Sequence, residues 1–300
     1  MTGTWWRSVI PEQVEEPPDI DTSVAHPARV YDYWLGGKTN FSADREAAEQ
    51  VIAVRPSIRR DIRANRAFLG RAVRYLADDA GVRQFLDIGT GIPSANNTHD
   101  VAQSIAPDSR IVYVDNDPIV LAHARALLTS SPEGATAYLS ADLRDPDTIL
   151  GRASELLDFG QPVAVMLVGI MHLVADDEDP YGIARTLMAA TGPGSYLVLT
   201  QPAKDINTDT VAEGARRYNA QVSTPQTRRT YAETGRFFDG LELLEPGVVQ
   251  CQRWHPGPDA TDVDEEVSCY GAVARNRLPI RVGFSVIRAE DPTRIPGMQV

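Results

Sequence analysis

The chain has 300 residues, 43% of them hydrophobic, enough to bury a large core in one big domain or two small ones. Its 41 acidic residues outnumber 29 basic ones, and a net charge of -12 argues against a partner such as nucleic acid gathered by counterion release. Two cysteines exclude a disulfide framework, and the longest nearly apolar run, PVAVMLVGIMHLVA, is too short for a bilayer, so with no apolar signal segment we expect a cytoplasmic protein without a membrane partner.

Residues 1–22 are rich in Pro and acidic side chains, which predicts a disordered tail. Residues 23–80 read as helical. ARVYDYW (Ala28 to Trp34) and ADREAAEQVIAV (Ala43 to Val54) are followed by a long basic helix in which Ile58, Ile62, Leu69, Val73 and Leu76 form an apolar stripe. Its arginines between Arg59 and Arg74 read as a solvated face. The stretch WLGGKTNF, between the first two helices, ends like a phosphate-binding P-loop, but the first glycine of that motif would fall on Asp32 and a helix precedes it. Gly36-Gly37 is therefore read as a helix stop and hinge.

After Gly81 the rhythm changes. Strands are predicted at QFLDI (Gln84 to Ile88), RIVYVD (Arg110 to Asp115), ATAYLS (Ala135 to Ser140), PVAVMLVG (Pro162 to Gly169) and SYLVLT (Ser195 to Thr200). Helices fall around Asn97 to Ile105, Pro118 to Leu128, Asp147 to Leu157 and Pro180 to Ala190. This alternation predicts an α/β fold, a mostly parallel doubly wound sheet with helices on both faces. Two more helices (Thr208 to Ala220, Thr227 to Phe237) precede LELLEPGVVQCQRW and VSCYGAVARN, two strands with no helix between them, which predicts an antiparallel hairpin at the sheet edge. The main domain thus covers 81–275, and 276–300 is an extension without a clear place.

The most informative segment is FLDIGTGIPS (Phe85 to Ser94), where a strand runs into an acid, two glycines one residue apart and a helix. Ligands of open α/β sheets bind beyond the carboxyl ends of the strands, where a glycine turn lets the backbone approach them. A dinucleotide fingerprint would place a third glycine or alanine at Ser94, and Asp87 would repel pyrophosphate while attracting an ammonium or sulfonium group. Asp115, at the next strand tip, is placed to accept from ribose hydroxyls, and Asp142 in SADLRD from an adenine amino group. Asp117, directly before Pro118, reads as a helix N-cap. No histidine or carboxylate cluster has metal-ligand spacing, and DDED (Asp176 to Asp179) reads as an acidic helix start.

These residues resemble the class I S-adenosylmethionine-dependent methyltransferases, which implies a seven-stranded sheet ending in the antiparallel hairpin. More narrowly, ARVYDYWLGGKTNFSADREAAEQV, RANRAFLGRAVRYLA, QFLDIGTGIPS, VYVDNDPIVLAHARALL and FFDGLELLEPGVV resemble an actinobacterial family of S-adenosyl methyltransferases of uncharacterised function. The resemblance runs from about Val24 to Arg275. It implies S-adenosyl-L-methionine as cofactor, with Asp87, Gly89, Thr90 and Gly91 at its methionine part, Asp115 and Asn116 at the ribose, and Asp142 and Leu143 at the adenine. Arg66 or Asn65 would meet the cofactor carboxylate, with Gly169 and Tyr31 completing the set. Pro93 stands where many such enzymes have a third glycine, which implies an altered loop. The partner would be a small-molecule acceptor and residues 23–80 a lid, with Tyr31, Asn40 or Phe41 facing the ligands. His172, after the fourth strand, is the candidate general base, and His99 a weaker one. Spacing alone also admits a protein that senses S-adenosylmethionine or its demethylated product without chemistry; the nicotinamide oxidoreductase alternative is disfavoured by Asp87 and Ser94.

Overall fold

The computed structural model describes residues 21–120, 122, 130–257, 260 and 263–277. Most of the predicted tail and C-terminal extension, and all but the first residues of the helix expected from Pro118 to Leu128, lie outside them.

Three helices come first: α1 (Pro27–Leu35), α2 (Ser42–Val54) and α3 (Ile58–Asp78). Pro27 opens α1 where its missing N–H costs nothing, and Gly36 closes it in the left-handed region at φ 87°. The reversal that follows is organised by Asp32. Its carboxylate accepts from the Thr39 amide at 2.9 Å and from Asn40 Nδ2 at 2.8 Å, and a Cβ on Gly37 would collide with it. The residue that breaks the P-loop spacing therefore builds the turn.

The sheet contains β1 (Gln84–Ile88), β2 (Arg110–Asp115), β3 (Ala135–Ser140), β4 (Ala164–Leu167) and β5 (Tyr196–Pro202), all parallel in the order β3-β2-β1-β4-β5. Next to β5 lies β8 (Cys269–Arg275), antiparallel to it. The outer edge is shared by two short strands, β6 (Glu242–Leu243) and β7 (Val249–Gln250), both paired to β8. The seven expected strand positions are thus filled by eight segments, because the run LELLEPGVVQ is interrupted at Pro246 rather than continuous. The crossover helices are α4 (Thr98–Ile105), α5 (Pro146–Ala153) and α6 (Pro180–Ala189); α7 (Thr208–Asn219) and α8 (Tyr231–Gly235) follow β5. The helix expected to begin at Thr227 starts only at Tyr231, capped by the Thr230 side chain, because 227–229 run alongside β5 instead.

Every residue of β1 is buried, as a central parallel strand requires, and its alternation divides the core. Leu86 and Ile88 join Val112, Val114 and the α5–α6 side; Phe85 joins Ile111, Phe68 and Leu76 on the α3 side. Most of the predicted stripe of α3 is buried against the sheet, so this part of the 23–80 segment forms one layer of the sheet domain. A third, smaller cluster joins Val30 and Trp34 of α1, Val51 of α2 and Tyr218 of α7. Both cysteines are free and buried, as small core residues.

Candidate functional site

Beyond the carboxyl ends of β1 to β5, a cavity of about 420 Å³ is enclosed by the strand tips, α1, α3 and residues 224–228. Its size is that of a small-molecule or cofactor site. Every residue assigned to the cofactor from the sequence lines it, Asn65 included, and so does His172; Asn40 and Phe41, expected to face the ligands, do not, Phe41 being exposed. His99 does not; its Nδ1 lies 2.8 Å from the Tyr113 hydroxyl in the core, a packed histidine.

Asp87, the penultimate residue of β1, has its side chain buried, accepting a 2.6 Å hydrogen bond from Thr98 Oγ1 at the start of α4. Burial pushes its carboxyl up to about 6 against the opposing effects of the Thr98 bond and the Arg66 charge, with Asp115 adding repulsion. The two glycines that follow are both left-handed, Gly89 at φ 75° and Gly91 at φ 66°. They differ in surroundings. A Cβ on Gly89 would collide with Ile170 after β4, whereas nothing lies within 4 Å of the Cβ position of Gly91. Thr90 between them donates its hydroxyl to the Asp87 carbonyl at 3.1 Å.

Asp115 at the tip of β2 accepts from the Gly91 amide at 2.8 Å and from the Asp117 amide at 2.9 Å, so it fastens the glycine turn to its own strand. Burial raises its pKa, and those two amides oppose the rise. Asn116 donates to Asp142 at 3.1 Å, joining the tips of β2 and β3. Asp142 also accepts from the Arg144 amide at 2.9 Å, while Leu143 is buried beside it. Asp117 caps the next helix through the Ile119 amide, as expected, and also pairs with His26 Nδ1 at 2.9 Å, tying the entry of α1 to β2.

On α3, Arg66 donates to the Ala95 carbonyl and to Asn97 Oδ1, which bridges the glycine loop. Asn65 donates to the Tyr31 hydroxyl at 2.9 Å, and burial pushes that phenol up to about 12. Gly169, at φ 71°, follows β4 and donates its amide to Thr200 at 2.8 Å. His172 sits in the short turn after it, with Nδ1 unpartnered and its backbone carbonyl accepting from Thr227 at 2.6 Å. Desolvation, then Arg228 and Arg229, lower its pKa to about 3. Its ring is neutral across the physiological range, which makes it a weak base.

Arg55, Asp61 and Arg228 also line the cavity, and sequence reasoning did not single them out. Arg55 and Asp61 form a buried ion pair between α2 and α3, and Arg228 follows β5. The only available signal was three charges scattered through helical and loop sequence, which no local pattern connects. Among the described residues no group of three or more His, Cys, Asp or Glu is arranged to hold a metal ion, and no helix is long and apolar enough to cross a membrane.

A doubly wound sheet of this order, with an antiparallel final strand inserted beside β5 and a glycine turn and three acids on successive tips, is the architecture expected of a class I methyltransferase fold. The chain belongs to the S-adenosyl methyltransferase family, whose model matches residues 13–277. A crystal structure of a DUF574 family protein from Streptomyces avermitilis MA-4680 is 47% identical, with 85% of this chain and 99% of that one covered and a TM-score of 0.82. A second, from Thermobifida fusca YX and described as a proposed methyltransferase, is 40% identical over 89% of this chain and 100% of that one, with a TM-score of 0.79. No curated protein gives a significant match. The protein is an S-adenosylmethionine-dependent methyltransferase, and S-adenosyl-L-methionine is its cofactor. The cavity suits that group, since the Gly91 backbone stands open beside it and the lining carries the buried Asp87 and the half-buried Asp115 and Asp142, acids suited to a ligand with two cationic centres.

Proposed function

We propose that the protein transfers a methyl group to a small-molecule acceptor, with the cofactor laid along the β1–β2–β3 half of the cavity and the acceptor beyond β4 and β5. The observation that carries this reading is the convergence of Asp87, Asp115 and Asp142 on one enclosed cavity with an open glycine backbone at Gly91. Asp87 faces the cationic amino acid part, Asp115 with Asn116 the ribose, and Asp142 with the Leu143 backbone the adenine. Arg66 meets the cofactor carboxylate, because it brings a positive charge and its Nε has no partner, whereas Asn65 is neutral and donates to Tyr31. Gly89, Thr90 and Gly169 shape the floor.

When bound, the cofactor would supply an electrophilic methyl carbon, its carbon–sulfur bond breaking toward neutral S-adenosylhomocysteine as the acceptor attacks in line. What the chain contributes is alignment and exclusion of water. Tyr31 and the Gly36-Gly37 reversal lie over the strand tips and act as the lid, anchored by the His26–Asp117 pair. The neutral His172 is held by Thr227 and positions the acceptor through Nδ1; its low pKa assigns it orientation rather than strong base catalysis.

Calorimetric titration with S-adenosylmethionine and S-adenosylhomocysteine tests the cofactor assignment, with Asp115→Asn as the probe variant. We expect saturable binding by the wild type, weakened at least tenfold by the substitution. Unchanged affinity in Asp115→Asn would overturn the placement of the ribose. Labelled methyl transfer to metabolite pools then tests the acceptor class, and label found only on protein or nucleic acid would refute a small molecule.

A further inference from the structure

The cavity has a second polar end that the cofactor reading leaves unused. It is built by Arg55 of the α2–α3 turn, Asp61 of α3 and Arg228, which reaches the cavity from the segment running beside β5. Arg55 is 2% exposed and its Nη2 pairs with Asp61, but its Nε and Nη1 have no partner. Arg228 donates Nη1 to the Ala203 carbonyl at 3.2 Å, and its Nε is also buried without a partner. Asp61 pairs with Arg55 alone and acts on Arg228 only through its charge, so the second guanidinium has no ion-pair partner among the described residues. Buried guanidiniums left in this state are costly unless an anion completes them. The strand order separates this end from the other: Asp142, Asp115 and Asp87 stand on β3, β2 and β1, while Arg228 stands past β4 alongside β5, near His172.

We propose that the acceptor is a small carboxylic acid, whose carboxylate is received by Arg228 with the Arg55–Asp61 pair behind it. A planar guanidinium matches a carboxylate through two parallel hydrogen bonds, which a lysine or an amide cannot reproduce. Desolvation and the neighbouring Arg55 charge lower the Arg228 pKa to about 9, as expected of a cation lacking its counterion. The remaining walls at this end, including Tyr218 and Cys269, leave the body of the acceptor in partly apolar surroundings. This inference rests on the methyltransferase reading, because it assigns the half of the cavity that the cofactor leaves free.

The test uses the full chain saturated with S-adenosylhomocysteine. Acetate, benzoate and 1-naphthoate are titrated against their amides, with phenyl phosphate as a separate arm. We expect at least one acid to bind ten times more tightly than its amide. Arg228→Gln should abolish that preference and Arg228→Lys should retain part of it, both with S-adenosylhomocysteine affinity within twofold of wild type. If no acid outperforms its amide, or phenyl phosphate binds more tightly than benzoate, the carboxylate proposal is wrong while the cofactor reading stands. Loss of S-adenosylhomocysteine affinity in Arg228→Gln would mean that Arg228 serves the cofactor carboxylate, which also overturns it. Failure of the wild type to bind S-adenosylhomocysteine at all would sink the underlying reading first.

Discussion

Along the β3–β2–β1 half of the cavity the strand tips carry carboxylates held by groups on the same or the neighbouring strand–turn–helix unit: Asp142 by the Arg144 amide and Asn116, Asp115 by the Asp117 and Gly91 amides, Asp87 by Thr98. Across β4 and β5 the charges are guanidiniums delivered by segments far apart in the chain, Arg55 before α3 and Arg228 after α7. The first half is a property of strand–turn–helix units and repeats the geometry of each unit. The second exists only once the helices and the β5 crossover have packed. A shared cofactor and a particular acceptor call for this division, since strand tips recur across α/β folds while crossovers and added helices are free to vary.

The comparison is broken most sharply at Asp115. Replacing it with Ala removes the acceptor for two backbone amides as well as the proposed ribose contact. Cofactor binding should weaken by roughly 3 kcal/mol, about two orders of magnitude, in calorimetric titration. The probes of the guanidinium end should be affected only through loss of the cofactor. An equally large direct effect at both ends would show the halves to be one site.

Gly89→Ala tests the same turn through stability. It combines a left-handed φ of 75° with a collision against Ile170, so we expect a loss of about 2–3 kcal/mol in urea unfolding. Gly36→Ala is its control in the lid, with φ 87° but nothing within 4 Å, and should cost only about 1 kcal/mol. A reversed order would show that the lid turn, and not the strand tip, is the tighter constraint.

Acidity distinguishes the two ends by sign. The Asp87 pKa is raised in the folded protein to about 6, so the folded state binds more protons than the unfolded one between its ordinary value and 6. The contribution of Asp87 to stability of the free protein is therefore greatest at low pH and declines as pH rises through that window, levelling above about 6. Cofactor affinity should run the other way, falling about tenfold per unit below pH 6 as the carboxylate is protonated, with proton release on binding detectable from buffers of different ionisation heat. Asp87→Asn should remove both trends. The smallest effect is expected at His172: with its pKa near 3, His172→Asn should leave the shape of the kcat profile between pH 6 and 9 unchanged while lowering kcat less than about tenfold. A shape change in that range would restore it as a titrating base.

Much of this was legible before folding because it is local. FLDIGTGIPS carries its own strand, turn and helix start, and YVDND and SADLRD mark the next two tips at spacings fixed by one crossover each. Residues 227–230 show the opposite case. Thr227 to Phe237 has helical composition, yet Thr227 bonds the His172 carbonyl and Arg229 reaches the carbonyls of Met171 and Val174, contacts more than fifty residues distant that override propensity. The broken edge strand is similar, since pairing to β8 resumes only after the Pro246 turn. Gly-Lys-Thr reads as the end of a turn rather than as a P-loop, and Asp32 accounts for both, breaking the motif and organising the reversal.

By itself the sequence determined the α/β architecture, the parallel direction of its first strands and the acids at their tips, because apolar periodicity and glycine turns act over ten or twenty residues. Those tips also pointed to a ligand carrying an ammonium or sulfonium group. Only the tertiary structure decided that α3 forms a layer of the sheet, that His172 is kept neutral and that Arg55 and Arg228 meet at the far end of the cavity. Burial and charge proximity are set by packing between distant segments, and no local pattern records them.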